Sequence, residues 1–244
     1  MVGSGKLSFW HTSEDLKHRS KTESFQEYLY AKLRTGEFPP GMRLRQDELA
    51  QSLGISSTPV REGLSRLIAE GLLTYVPNKG VTVREPQPSS VSEVYAIRIE
   101  LEGLAAREAA KKLSQEDLER LSSLHQQMAD LQSPDKRRAF SEVNDEFHWI
   151  ICQAAGSELL LSIVRRLWAA SPWDGGLLLH GRSSLSVKEH GAILQALQAR
   201  DPLRAEESMD NHLRSFAESI LAVLESDDGR TASPSPLGDE ASKG

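Results

Sequence analysis

The chain is 244 residues long and carries 29 Lys and Arg against 35 Asp and Glu, a formal net charge of −6. That length has room for two modest domains rather than one small core. The apolar stretches at Trp149–Cys152 and Leu177–Leu179 fall far short of a bilayer span. Lys6, His11, Glu14 and Asp15 stand where a secretory signal would be apolar, so the expected setting is the cytoplasm, with no membrane partner. The lone cysteine, Cys152, excludes an internal disulfide.

Net acidity argues against a nucleic-acid partner only until it is divided along the chain. Residues 1–85 hold 12 basic and 10 acidic side chains, and residues 86–244 hold 17 and 25. A weakly basic front module is joined to an acidic rear one.

Residues 1–21 mix Gly, Ser and charge without periodicity and read as a flexible arm. From Ser24, the helical spacing of Phe25, Tyr28, Leu29, Lys32 and Leu33 predicts a first helix, ended by Gly36 and the turn Pro39-Pro40-Gly41. Gln46 to Leu53 reads as a second helix, closed by Gly54. Ser56 or Ser57 caps a third, with Pro59 in its first turn and Val60, Leu64, Leu67 and Ile68 on its apolar face. Leu72–Val76 and Gly80–Arg84, joined by Pro77-Asn78-Lys79, read as a hairpin. Three helices and a hairpin over residues 22–85 are the layout of a winged helix-turn-helix.

Residues 86–90, rich in Pro and Ser, read as a linker. Beyond them the pattern is helical throughout, in six segments at about 91–112, 115–131, 137–155, 157–170, 183–199 and 202–225. Ser114 to Asp117 has the spacing of a capping box. The Ser-, Gly- and Pro-rich stretch 226–244 is expected to be disordered. The predicted fold class is mainly α, a winged helix-turn-helix followed by an all-α bundle of about six helices.

The second helix of a helix-turn-helix enters the major groove with its N-terminal residues at the base edges. Here those are Ser56, Ser57, Thr58 and Arg61, the last able to fork onto guanine. Lys79 and Gly80 at the hairpin tip are placed to meet the backbone or minor groove, Gly80 because nothing bulkier approaches as closely. Singly, each has an ordinary structural role as cap or solvated charge; the ordered run of elements lifts the reading.

That run also resembles a known family. Phe38 to Leu44, Glu48-Leu49-Ala50, Leu53 to Ser56, Thr58 to Leu64, Leu67, Glu70-Gly71-Leu72 and Pro77 to Gly80 are similar to the DNA-binding domain of GntR-type bacterial transcriptional regulators. The family often has arginine where this chain has Ser57, which removes a forked donor. Arg45 is a further candidate phosphate contact.

In the rear module Asn144 and His148 are one helical turn apart, with Asp145 on a slightly rotated part of the same face. His190 follows Glu189 on the fifth rear helix and His212 lies on the sixth. If those helices enclose one cavity, three imidazoles and an oxygen donor suit a divalent ion such as Zn²⁺ or Ni²⁺; otherwise they are surface or singly bonded histidines. Tyr95 to Arg98 with Leu101-Glu102, Asn144 to His148, Glu189-His190 and Met209 to Leu213 resemble the FadR-type C-terminal ligand-binding domain, FCD, over roughly 91–224. The resemblance implies Asn144, His148, His190 and His212 as metal ligands, with Asn in place of the commoner Asp and Asp145 as a substitute only if the helix is rotated. It also implies Arg98 as the anchor of a small carboxylate effector, an intrahelical pair with Glu102 being the alternative role. His180 has no assigned role.

The expected function is a homodimeric regulator that binds a pseudopalindromic DNA operator and responds to an effector held between helices. The alternative from another class is a mononuclear metalloenzyme acting on a small organic acid. A plainer reading is a DNA-binding module on a dimerisation bundle with no effector.

Overall fold

Phe25, Leu29 and Leu33 recur every fourth residue and are buried along one face of α1 (Lys21–Arg34). The protein is described by a computed structural model covering residues 20–34, 36–85, 87–171 and 182–231, with 226–231 given by backbone alone. The arm up to Arg19, His180 with the preceding Gly175-Gly176, and the tail beyond Thr231 lie outside the described residues. Helix α1 starts three residues earlier than its apolar pattern, because Ser20 and Glu23 cap it reciprocally: Glu23 Oε2 accepts from the Ser20 amide at 2.8 Å and Ser20 Oγ from the Glu23 amide at 3.2 Å.

After β1 (Arg43–Leu44) come α2 (Gln46–Leu53) and α3 (Ser57–Ala69), separated by Gly54 at φ +64°. Ser56 takes the N-cap position of α3 through its backbone, but its side chain makes no capping bond. At Gly63 a Cβ would collide with the Phe25 ring, so glycine lets α3 seat on α1. Strands β2 (Leu73–Val76) and β3 (Gly80–Val83) form the expected hairpin. The sheet has a third strand, order β1-β3-β2 and antiparallel throughout, which a two-residue strand gives no alternation to reveal.

The rear helices are α4 (Pro88–Lys112), α5 (Gln115–Asp130), α6 (Arg137–Ala154), α7 (Glu158–Ala169), α8 (Ser183–Gln198) and α9 (Pro202–Thr231), with a 3₁₀ turn at Pro134–Lys136. Two ends differ from the sequence pattern. Helix α4 begins inside the Pro- and Ser-rich stretch because Pro88 occupies its first turn, where a missing N–H costs nothing. Helix α9 runs past Glu225 to Thr231, into the stretch expected to be disordered. The capping box at α5 is present, with Ser114 Oγ and Asp117 Oδ2 each accepting the other residue's amide at 3.0 Å. Tyr95, Leu121, Phe147, Ile193 and Met209 are among the side chains that fill the bundle core.

The two modules share a buried seam. Ala169 at the end of α7 packs into the core of the winged module, among Phe25, Leu29 and Leu33. Arg165 of α7 pairs with Glu27 of α1 at 3.0 Å. Arg34, the last residue of α1, reaches Asp145 of α6 through two bonds, Nε to Oδ2 at 3.0 Å and Nη2 to Oδ1 at 2.5 Å.

Candidate functional site

His148 on α6, His190 on α8 and His212 on α9 are drawn together at the centre of the bundle, all buried, with ligand nitrogens within 4.8 Å of one another. His148 Nε2 and His190 Nε2 are 3.1 Å apart. Two of the rings are oriented by a second partner, which fixes their tautomers. His190 Nδ1 is 2.6 Å from the Ser186 carbonyl oxygen, so it must donate there. His212 Nδ1 donates to Glu189 Oε2 at 2.8 Å. His148 Nδ1 faces Glu102 Oε2 at 3.4 Å, and neither of these buried atoms has a hydrogen-bond partner. With their protons on the outer nitrogens, His190 and His212 keep bare Nε2 lone pairs on the inside, and His148 Nε2 lies within hydrogen-bonding distance of that of His190.

Burial keeps the imidazoles of His190 and His212 in that neutral form. It pushes His190 well below the usual histidine range, helped by His212 and His148. Burial and the neighbouring His148 bring His212 down to about 4, against the opposing pull of Glu189. Neutral imidazole is the ligating form, so at His190 and His212 no proton competes at neutral pH. Two ring nitrogens 3.1 Å apart are held together either by a proton between them or by a shared cation. Two nitrogens at that spacing can both sit about 2.1 Å from one ion, at roughly a right angle. The donors therefore fit a divalent first-row ion.

The supports of the three rings are themselves held. Arg182 ahead of α8 donates to Glu189 Oε2 at 3.1 Å, Ser186 Oγ at 2.7 Å and Ser215 Oγ at 2.9 Å, while its guanidinium lies 4.7 Å from the Phe216 ring. Burial opposes ionisation of Glu189, but His212 and Arg182 outweigh it and hold the carboxyl below its usual range. Glu102 is fully buried, a cost offset by Arg98 and His148, which keep it ionised far below the ordinary range. Arg98 Nε donates to Glu102 Oε1 at 2.7 Å, and its guanidinium stacks 4.7 Å from the Tyr95 ring. The intrahelical pairing weighed from the sequence is thus present.

Asn144, one turn before His148, is half-buried and donates through Nδ2 to Asp145 Oδ1 at 3.3 Å. Asp145 is committed to Arg34, which removes it as a substitute ligand. Cys152 is buried beside the site, and desolvation together with Glu102 raises its thiol, so no thiolate joins the donors. Sequence reading missed Arg182, Trp168 and Arg34, because contacts across the bundle leave no local spacing signal.

On the winged module Ser56, Ser57, Thr58 and Arg61 are all exposed at the start of α3. Arg45 is 60% exposed and pairs only with Glu48, three residues on, an exposed pair that is easily exchanged for a phosphate. Lys79 is exposed at the hairpin tip. Gly80 has φ +81°, and a Cβ there would meet nothing closer than Arg43 Nε at 3.8 Å. Its backbone conformation by itself calls for glycine. Arg43 beside the tip and Tyr75 on β2, 66% exposed, extend this surface beyond the residues singled out in the sequence. Among the described residues no helix is long and apolar enough to cross a membrane.

Residues 21–83 match the family "Bacterial regulatory proteins, gntR family", and residues 93–215 match the "FCD domain". The chain is 30% identical to the HTH-type transcriptional regulator McbR of Escherichia coli, over 92% of this chain and 97% of that protein. It is also 30% identical to the probable D-xylose utilization operon transcriptional repressor of Paenarthrobacter nicotinovorans, over 84% and 91%. The solved structure of E. coli McbR/YncC superposes with a TM-score of 0.76 at 26% identity, covering 85% of this chain and 99% of that one. A putative GntR regulator from Rhodococcus superposes at 0.69 with 22% identity, a likeness of fold. The chain belongs to the GntR family of bacterial regulatory proteins, its winged helix-turn-helix joined to an FCD domain, and is a DNA-binding transcriptional regulator.

Proposed function

We propose that this regulator is a homodimer whose operator affinity is set by a small carboxylate bound at a Zn²⁺ or Ni²⁺ centre formed by His148, His190, His212 and the Asn144 amide oxygen. The module boundaries proposed are 22–85 for DNA reading and 91–225 for sensing. The observation that carries the reading is the set of three buried imidazoles with ligand nitrogens within 4.8 Å of one another, two of the rings fixed by an outer partner. A neutral donor set leaves the ion its full double charge, so an anionic ligand is favoured in the remaining positions. The metal supplies a Lewis-acid position for a carboxylate oxygen when bound. Arg98 is the candidate for the other end of that carboxylate, because Glu102 joins its guanidinium to the ring of His148.

Base reading falls to Ser56, Ser57, Thr58 and Arg61, with Arg45, Lys79 and Gly80 on the phosphates. The test is operator binding by fluorescence anisotropy, with metal present and a panel of small mono- and dicarboxylates. At least one acid is expected to shift affinity by about 5- to 150-fold and to stabilise the protein by mass action. In the same assay Arg61→Ala should weaken binding by about 1–3 kcal/mol. An acid that is turned over while operator affinity stays fixed favours a metalloenzyme instead.

Support for the dimer comes from apolar side chains left at the surface of two adjoining helices. Ile97 on α4 is 43% exposed, and Leu159 and Ile163, one turn apart on α7, are 71% and 37% exposed. A double variant, Leu159→Glu with Ile163→Glu, should sediment as one chain rather than two. If it still sediments as a pair, the dimer uses another face.

A further inference from the structure

The DNA-binding module contributes a side chain to the surroundings of the three histidines. Arg34 closes α1, yet it is only 3% exposed and lies inside the rear bundle. Two routes lead from it to the candidate ligands. One runs through Asp145, which accepts two bonds from the guanidinium and one from the side chain of Asn144. The other runs through Trp168, whose ring lies 5.2 Å from the guanidinium carbon. Trp168 Nε1 donates to Glu102 Oε1 at 2.8 Å, and the second oxygen of Glu102 faces His148 Nδ1. The two routes end on Asn144 and His148, the two candidate ligands carried by α6.

We infer that Arg34 is a positioning residue shared by both modules, so that filling the histidine site tightens the end of α1 and orders the DNA-binding module. The inference rests on the reading of the triad as a metal centre. Its physical content is reciprocal linkage: whatever the ion does to Asn144 and His148 is felt at Arg34, and DNA that fixes α1 alters metal affinity by the same factor. The neighbouring pair Arg165–Glu27 also joins α7 to α1, and its guanidinium stacks 4.9 Å from the Trp149 ring, itself 6.1 Å from that of Trp168. Arg165 thus approaches the site through ring contacts, whereas Arg34 bonds directly to Asp145.

Hydrogen exchange on the full chain, stripped with EDTA and then loaded with Zn²⁺ alone, separates the possibilities. In the native protein Zn²⁺ should slow amide exchange in α8 and α9 and, by about fivefold or more, in the last two turns of α1. Arg34→Met combined with Asp145→Leu replaces both charges by apolar groups and avoids an orphaned buried carboxylate. In that variant Zn²⁺ should still protect α8 and α9 while the response of α1 is lost. Glu27→Gln should keep the α1 response. Protection of α8 and α9 without α1 in the native protein overturns the inference and leaves the metal centre intact. So does an α1 response that survives in the Arg34 variant, or one lost equally in Glu27→Gln. Absence of any response to Zn²⁺ overturns the metal reading and this inference with it.

Discussion

A protein carrying His148→Ala together with His190→Ala is expected to hold no stoichiometric metal, and the native chain is expected to hold about one ion. The native rings are already gathered, with the outer nitrogens of His190 and His212 engaged, so little ordering entropy remains to oppose binding. Removing two of three imidazoles leaves His212 and one amide oxygen, too few donors to compete with water and buffer. Elemental analysis after gel filtration measures this directly, and circular dichroism shows whether the bundle survives. The helices should persist, because the surrounding core of Phe147, Ile151, Ile193 and Met209 does not depend on the ion. A folded double variant that keeps one ion per chain would mean that the ligands are elsewhere.

Arg34→Ala is expected to destabilise the protein by about 3–5 kcal/mol. The side chains of Arg34 and Asp145 are 4% and 2% exposed, so solvent screens the pair little. Deleting the cation takes two bonds from a buried carboxylate in the seam, and its Asn144 contact at 3.3 Å is a weak substitute for them. The paired replacement Arg34→Met with Asp145→Leu should cost far less, since no charge is then stranded. Urea unfolding of the two variants makes the comparison. A loss below about 1 kcal/mol for Arg34→Ala, the scale of an exposed ion pair, would show that water reaches the seam.

How much of this is written locally in the chain can be judged residue by residue. The helices, the hairpin and the α5 cap are local, because each depends on spacings of two to four residues. The three histidines carry no such signal among themselves; 42 residues separate His148 from His190. They became a candidate set through the turn between Asn144 and His148 and through the family resemblance. Glu102 and Glu189 stood next to recognised residues, but their roles needed the packing of α4 and α8 against the rest of the bundle. Arg34 was invisible as a functional residue, since its partner Asp145 is 111 positions away in another module. Asp145, taken from sequence as a spare ligand, turned out to serve the seam. Long-range pairing of this kind is set by how helices dock, which no short window of sequence contains.

The short passage from β3 to α4 has a consequence for the spacing of DNA half-sites. Four residues lie between Val83 and Pro88, so their Cα atoms can be at most about 18 Å apart. Arg84 takes up part of that length, because its amide bonds to the Leu72 carbonyl and its guanidinium to that of Gly71. The reading head is therefore on a short leash. In a dimer formed through the bundle, the distance between two recognition helices is dictated by how the sensor domains are mounted. An operator with a few base pairs inserted at its centre could not be accommodated by paying out slack.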